Sequence, residues 1–590
     1  MKRKPLLLLT VLSLLFVVSC QSFDSSLSTS VGLSDSVNSS SDSSNVEEVC
    51  EHDYQIVSHT DSTIIKRGLE VFECSKCHAS FKKDLSYDLS ECAFEDMTFM
   101  HDGQSHEVVL KGMLPLGTHV TYENNALTEI GEQEAKAIIS DDNNQVLTTK
   151  TAKIIVKENT GFPNIYIAKN GAAIEDKETY VTMKLSTNNC DDKYVISDIP
   201  GGIRLRGNGT LTYDKKAYRL KLDSKQNLFG LNKGLKAKSW VLLADYADQS
   251  MLRNMTALNM GNSLLNYSKN YCSDCMHVNL YLDDSYNGVY LLAEQQQVNT
   301  KRVNVHEPES ADDGNNVGYL LELDSEKYAK EEDYYFTVGT QSGFRVSETT
   351  LAQKYYTIKS DIFSNGQVSY IKKYLTNVFT IFVRIANNEG FFTLDENHNI
   401  VTSNYQNAFD TLNAIIDLES VFKMYILHEL MKNVDVGFSS FYMFVDFSEN
   451  SMYPRLTFGA PWDFDWSSGN VNRSPYTTSS GAYNSTVFDH MNPWFYLLSK
   501  MDFFKSYIKD YYQVFLDSKI FENALSNIDY EVTAFANEFK KNYDKWKNLG
   551  TIVPVYTPND ARNFKIHKDA ADYFKNWLNK RKQTLDTLFL

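Results

Sequence analysis

The segment Phe458-Gly459-Ala460-Pro461-Trp462-Asp463-Phe464-Asp465-Trp466 constrains this chain more than any other. Two acidic side chains two residues apart follow an aromatic residue, and Asp435 of Asn433-Val434-Asp435 stands on a separate loop upstream. Carboxylates arranged in this way suit a site that holds a divalent metal against phosphate. The competing reading is that Asp463 and Asp465 cap a turn or bind a structural Ca2+, with Trp462 and Trp466 as core aromatics. The stretch 421–431 predicts a buried helix leading into the Asp435 loop.

The N-terminus fixes where such a site would work. Lys2, Arg3 and Lys4 precede an apolar run, residues 6–18, that is too short for a comfortable membrane span. It ends in Val17-Val18-Ser19-Cys20, which resembles a bacterial lipobox. Residues 1–20 are therefore expected to be a lipoprotein signal peptide, with lipid on Cys20 holding the mature chain at the extracellular face of the bacterial cell membrane. An ordinary secretory signal with an incidental cysteine is the alternative. Residues 21–46 are dominated by serine and offer too little apolar surface to offset the entropy of ordering, which predicts a flexible tether. The roughly 545 residues that follow exceed one core and predict several domains. A formal charge of −17 argues against a nucleic-acid partner.

Cys50-Glu51-His52 followed by Cys74-Ser75-Lys76-Cys77 can close a tetrahedral site for structural zinc if a hairpin joins the pairs. This predicts a small zinc-ribbon-like module over residues 47–92, with His78 a solvated spare. Disulfides are the alternative, because an extracellular location permits them. Cys272 and Cys275 lack a nearby basic residue to lower a thiol pKa and read as structural. Over residues 96–157 alternation replaces helical spacing, as in Lys153-Ile154-Ile155-Val156, and Gly103, Gly112, Gly117 and Gly131 mark turns. Phrases such as Val120-Thr121-Tyr122-Glu123-Asn124-Asn125 resemble the β-grasp-like MBG repeats of bacterial surface proteins, with a spacer role as the default.

Residues 162–590 carry the functional argument. The loop Gly207-Asn208-Gly209 lets backbone approach a ligand, and Lys216-Ala217-Tyr218-Arg219-Leu220-Lys221-Leu222 alternates as a strand with Arg219 and Lys221 on one face. A strand, a helix from about residue 250 to 265, and a hairpin follow; beyond Asp465 the chain reads as largely helical. In order, Arg206-Gly207-Asn208, Lys215-Lys216-Ala217-Tyr218-Arg219-Leu220-Lys221, Leu252-Arg253-Asn254, Gly288-Val289-Tyr290-Leu291-Leu292-Ala293-Glu294, Gly318-Tyr319-Leu320-Leu321-Glu322-Leu323-Asp324 and Pro461-Trp462-Asp463-Phe464-Asp465 resemble the recurring phrases of the spore-coat CotH family of atypical protein kinases.

The resemblance implies an α+β, two-lobed, kinase-like domain that transfers the ATP γ-phosphate to Ser or Thr of surface or secreted proteins with Mg2+ or Mn2+. Carried over by position, Lys221 would face the phosphates, Asp435 would be the catalytic-loop aspartate and Asp463 the metal-binding aspartate. Trp462 would stack adenine, and Gly207, Asn208 and Arg219 would help to hold the nucleotide. One departure is Ser440 where a kinase has the Asn that holds a second metal, leaving Asp465 to replace that ligand. The other is the lack of an acidic residue in the 251–265 helix to pair with Lys221. A catalytically inactive CotH-fold surface binding or assembly protein, or an adhesin, is the alternative. Oligomeric state is not legible from the sequence.

Overall fold

The computed structural model describes residues 50–590 except 266, 268, 269, 312, 340–342 and 347. The expected signal peptide, Cys20 and residues 21–46 lie outside the described residues. Among the described residues no helix is long and apolar enough to cross a membrane.

A three-stranded antiparallel sheet comes first, in the order β1 (Tyr54–Thr60), β2 (Leu69–Cys74), β3 (Ser80–Asp84). β1 and β3 are exposed along their whole length, so this sheet has little core of its own. Units this small lean on a metal or a crosslink for stability. A second sheet, of order β4-β7-β6-β5, is built from β4 (Met97–Met100), β5 (Thr118–Glu123), β6 (Gly131–Asp141) and β7 (Val146–Lys157). On β7, Ala152, Ile154 and Val156 are buried and Lys153 is exposed, the period-2 pattern of a sheet with one face in a core.

This second sheet does not stand off as a spacer. Met113, from the loop before β5, and Ile64 are buried in the same core as the C-terminal helices. The Leu114 N–H donates to Ser518 Oγ at 2.8 Å, and the Met100 N–H to the Tyr530 hydroxyl at 2.9 Å. An ion triad adds to these contacts: Lys423 Nζ is 2.8 Å from Glu91 Oε2 and 2.8 Å from Glu419 Oε1, with the lysine side chain fully buried. Buried lysine is tolerated because both carboxylates compensate its lost hydration.

Seven strands then close a barrel in the order β10-β11-β12-β14-β13-β8-β9. They are β8 (Asn164–Ala168), β9 (Val181–Asn188), β10 (Ile199–Leu205), β11 (Tyr218–Gln226), β12 (Ala237–Leu243), β13 (Cys275–Leu282) and β14 (Ser285–Glu294). Ile203, Leu220, Trp240, Leu242, Leu280 and Leu292 fill its interior. On β12 and β14 the alternate residues Val241, Leu243, Val289 and Leu291 are buried too, but in the other core. On that outer side the helix Ala536–Trp546 packs on β14 and α1 (Arg253–Leu265) on the adjacent β13, which is why these strands read as continuous apolar runs. The expected order of strand, helix and hairpin is present, yet α1 packs with the C-terminal half and not on the barrel alone.

That half is built on a five-stranded antiparallel sheet of order β16-β19-β15-β22-β23. Its strands are β15 (Gly318–Asp324), β16 (Tyr335–Val338), β19 (Lys354–Ile358), β22 (Phe441–Asp446) and β23 (Thr457–Phe458); two small hairpins, β17–β18 (Phe344–Val346, Thr349–Leu351) and β20–β21 (Phe392–Leu394, Ile400–Thr402), lie beside it. Helices α2 (Asn365–Ala386) and α3 (Leu418–Met431) pack on this sheet, and α4 (Phe504–Asp517), α5 (Ile520–Ala534), α6 (Ala536–Trp546) and α7 (His567–Phe589) pack on one another and on α3. Every residue of α3 except Glu419 is buried, as expected of a helix enclosed on all sides.

Candidate active site

Helix α3 aims the chain at the site. It ends where Lys432 turns left-handed, at φ 46°, and the chain passes into Asn433-Val434-Asp435. The acidic segment runs alongside: the Val434 N–H donates to Trp466 O at 3.1 Å, Asn433 Nδ2 to Asp463 O at 3.0 Å, and the Ser468 N–H to Met431 O at 2.7 Å. From the other side α1 grips the same segment. Asn254 Oδ1 accepts the Phe464 N–H at 2.6 Å, while the Arg253 guanidinium donates to Ser467 O at 3.1 Å and pairs with buried Asp248. These bonds hold Asp463 in the left-handed region at φ 63°, uncommon for any residue but glycine. They also explain why α1 carries Arg253-Asn254 and no carboxylate.

Asp435, Asp463, Asp465 and Ser440 thereby line one side of a cleft of about 320 Å³. Ser440 Oγ donates to Asp463 Oδ2 at 3.1 Å. Burial pushes the Asp435 carboxyl well above the usual carboxylate range, and the charge of Asp463 adds to it; Asp465 is raised in the same way, with Asp463, Asp245, Asp248 and Asp435 contributing. Asp435 Oδ1 is buried without a hydrogen-bond partner, and His490 Nδ1 stands 3.7 Å from it. Carboxylate and hydroxyl oxygens lining one cleft are the ligand type a divalent cation takes. Glu322, on β15, lines the cleft beside them and accepts the Ser440 N–H at 3.1 Å. Its neighbour Asp324 accepts from Ser439 Oγ at 2.9 Å, and burial together with Glu322 pushes it up to about 7.

The barrel supplies the opposite side. Gly207 and Asn208 line it as expected; Gly207 has φ 92°, and a Cβ there would come within 2.0 Å of Thr210 Oγ1. Trp462 lines the cleft too, 4 % exposed, with the Arg206 guanidinium 5.5 Å above its ring, so the ring reaches the cleft capped by a cation and not as a bare stacking surface. Arg219 lines the cleft, whereas Lys221 does not. It is exposed on β11, paired with Gly202 and Ser239. Alternation places both residues on one face, but Lys221 lies about 7 Å farther along the strand, past the end of the cleft. The cations that do line it are Lys177, Arg204, Arg206 and Arg219. Lys215, the buried lysine of this region, donates to Ala244 O and Val289 O and so braces the barrel.

At the N-terminal sheet, the ligand atoms of Cys50, His52, Cys74 and Cys77 all lie within 4.8 Å of one another. The turn between the last two is closed by the His78 N–H donating to Cys74 O, and His78 itself points away to Glu73 at 2.7 Å. Two thiols plus a thiol and an imidazole fit the closed tetrahedral set of structural zinc. Burial pushes the Cys272 and Cys275 thiols well up, which leaves them unreactive.

The family model described as CotH kinase protein matches residues 203–585. The chain belongs to the CotH kinase family. The match starts on β10 and ends in α7, so the cleft residues named above fall within the CotH span except Lys177, while the four-ligand sheet and the β4–β7 sheet precede it. No curated protein matches the chain. Within the CotH span, spacing alone does not single out Arg204, Glu322 or His490; for Glu322 the available signal is a pair of acidic residues, Glu322 and Asp324, at the end of the otherwise apolar strand β15.

Proposed function

We propose that this protein is a lipid-anchored atypical protein kinase at the extracellular face of a bacterial membrane, which transfers the ATP γ-phosphate to Ser or Thr of surface or secreted proteins. The observation that carries this reading is the convergence of Asp435, Asp463, Asp465 and Ser440 on one side of a cleft whose other side is cationic. Asp463, Asp465 and Ser440 would hold Mg2+ or Mn2+, which when bound neutralises charge on the transferred phosphoryl group. Asp435, whose Oδ1 is buried without a hydrogen-bond partner, suits acceptance of the proton from the acceptor hydroxyl. Asn254, Arg253 and Asn433 keep these groups in place, and positioning is most of what phosphoryl transfer asks of a protein. Zinc on Cys50, His52, Cys74 and Cys77 would be structural. One observation favours an inactive binding protein with the same fold: Ser440, a weaker ligand than an amide carbonyl, already spends its hydroxyl hydrogen on Asp463.

The test is incubation of residues 21–590 with γ-labelled ATP and Mg2+ or Mn2+, alongside Asp463→Ala. Metal-dependent label on the protein or a generic Ser/Thr substrate, absent with the variant, is the expected result. ATP bound without transfer would identify the inactive alternative, and no binding would overturn the nucleotide reading.

A further inference from the structure

Strands β10 and β11 pair so that Arg204 lies directly opposite Arg219. Arg206 follows two residues after Arg204 and continues that face, its N–H bonded to Ala217 O at 3.0 Å. Like charges directly opposite on paired strands destabilise a sheet, so three guanidinium groups here call for an anion between them. Among the described residues none of the three has a carboxylate within ion-pair distance, and the buried Nε atoms of Arg204 and Arg219 have no hydrogen-bond partner. Burial holds the Arg219 guanidinium below its usual range, with Arg204 and Arg206 adding to the effect. Two of the forks are steadied from behind: Arg204 lies 5.0 Å over the Tyr180 ring and Arg206 over Trp462. Ring contacts of this kind use no N–H group, all three residues line the cleft, and a guanidinium fork matches phosphate oxygens in pairs.

We propose that Arg204, Arg206 and Arg219 form a receptor for a chain of phosphate groups, so that the phosphoryl donor is selected by its triphosphate and not by its base. The proposal rests on the reading of the cleft as the donor site. The rim points the same way: Trp466 packs against Tyr556 at 4.8 Å and Tyr556 against Tyr213 at 6.2 Å. Aromatic faces of this kind stack any base without distinguishing one from another.

The experiment is calorimetric titration of residues 21–590, in Mg2+, with ATP, GTP, inorganic tripolyphosphate and adenosine. ATP, GTP and tripolyphosphate are expected to bind within about tenfold of one another and adenosine at least about a hundredfold more weakly. Arg204→Ala and Arg219→Ala should each weaken all three triphosphates by about tenfold or more, the loss expected for hydrogen bonds to a charged group. Arg219→Lys, which keeps the charge but not the fork, should weaken them less. Thermal melting reports whether each variant is folded; if the alanine variants do not fold, competition of tripolyphosphate with ATP on the unmodified chain decides. Failure of tripolyphosphate to displace ATP, adenosine binding as tight as ATP, or unchanged affinity in folded arginine variants would each overturn the proposal. Binding through the arginines without phosphoryl transfer would sink the kinase reading and leave this one standing. Transfer from ATP with no tripolyphosphate competition would do the reverse.

Discussion

Replacing Glu91 by glutamine takes one carboxylate from a lysine that has no water to fall back on. Lys423 is fully buried, Glu91 is 12 % exposed and Glu419 27 % exposed. Burial works against the charge on Lys423, but Glu419 and Glu91 outweigh it and hold the ammonium above its usual range. Breaking a buried pair by removing one partner costs about 3–5 kcal/mol. Because Glu419 keeps its contact, the lower end applies, about 3 kcal/mol of unfolding free energy. The assay is urea unfolding of residues 21–590 followed by tryptophan fluorescence, for Glu91→Gln, Lys423→Met and the double variant. The double variant should recover much of the loss, since it removes both the charge and its partner. Lys423 sits on α3, which runs directly into Asp435, so phosphoryl transfer should fall together with stability. A Glu91→Gln protein within about 0.5 kcal/mol of the unmodified chain, the range of an ordinary surface change, would refute the reasoning. The same triad predicts that a fragment beginning at residue 162 or 203 is unstable, because it leaves Lys423 with one carboxylate and uncovers the site where Met113 packs.

Asn254→Ala would leave the Phe464 N–H buried without its acceptor, at about 1–3 kcal/mol, and release Asp463 from its left-handed conformation; thermal melting should show the destabilisation and the labelled-ATP assay a transfer rate lower by about tenfold or more. Metal analysis should find one zinc per chain, and its removal by chelation should make residues 50–85 susceptible to protease; cleavage unchanged by chelation would argue against a zinc-held sheet. Asp324 has a folded pKa of about 7, above its unfolded value, so its contribution to stability is complete at low pH and is lost as pH rises from about 4 to about 7. Asp324→Asn should therefore gain stability relative to the unmodified chain between pH 5 and pH 8, by at most about 3 kcal/mol, the two pKa units from pH 5 to about 7 at about 1.4 kcal/mol each; an unchanged difference in urea midpoints at the two pH values would contradict this.

What could be seen in the sequence was what is local. Cys50, His52, Cys74 and Cys77 announce themselves by spacing, and a single hairpin brings them together. Asp435 and Asp463 stand out because each lies in a short distinctive phrase, and the buried helix before Asp435 is legible from its apolar residues. Strand pairing is not local, so nothing in the sequence places Arg204 opposite Arg219 or brings Glu322 to Ser440, 118 residues away. Alternation fixed the face of β11 but not where the cleft ends along it, which is why Lys221 and Arg219 look equivalent in sequence and are not in space. The docking of the second sheet depends on Glu91 meeting Lys423 across 332 residues, and the alternating pattern of that sheet reads the same whether it is docked or free.

The most direct measurement is a crystal of residues 21–590 grown with Mn2+ and a non-hydrolysable triphosphate, with diffraction recorded at the manganese absorption edge. The account predicts an anomalous peak touching the carboxylates of Asp463 and Asp465, with the phosphates between it and the arginines of β10 and β11. A cleft without a manganese peak, at saturating ion and triphosphate, would contradict it.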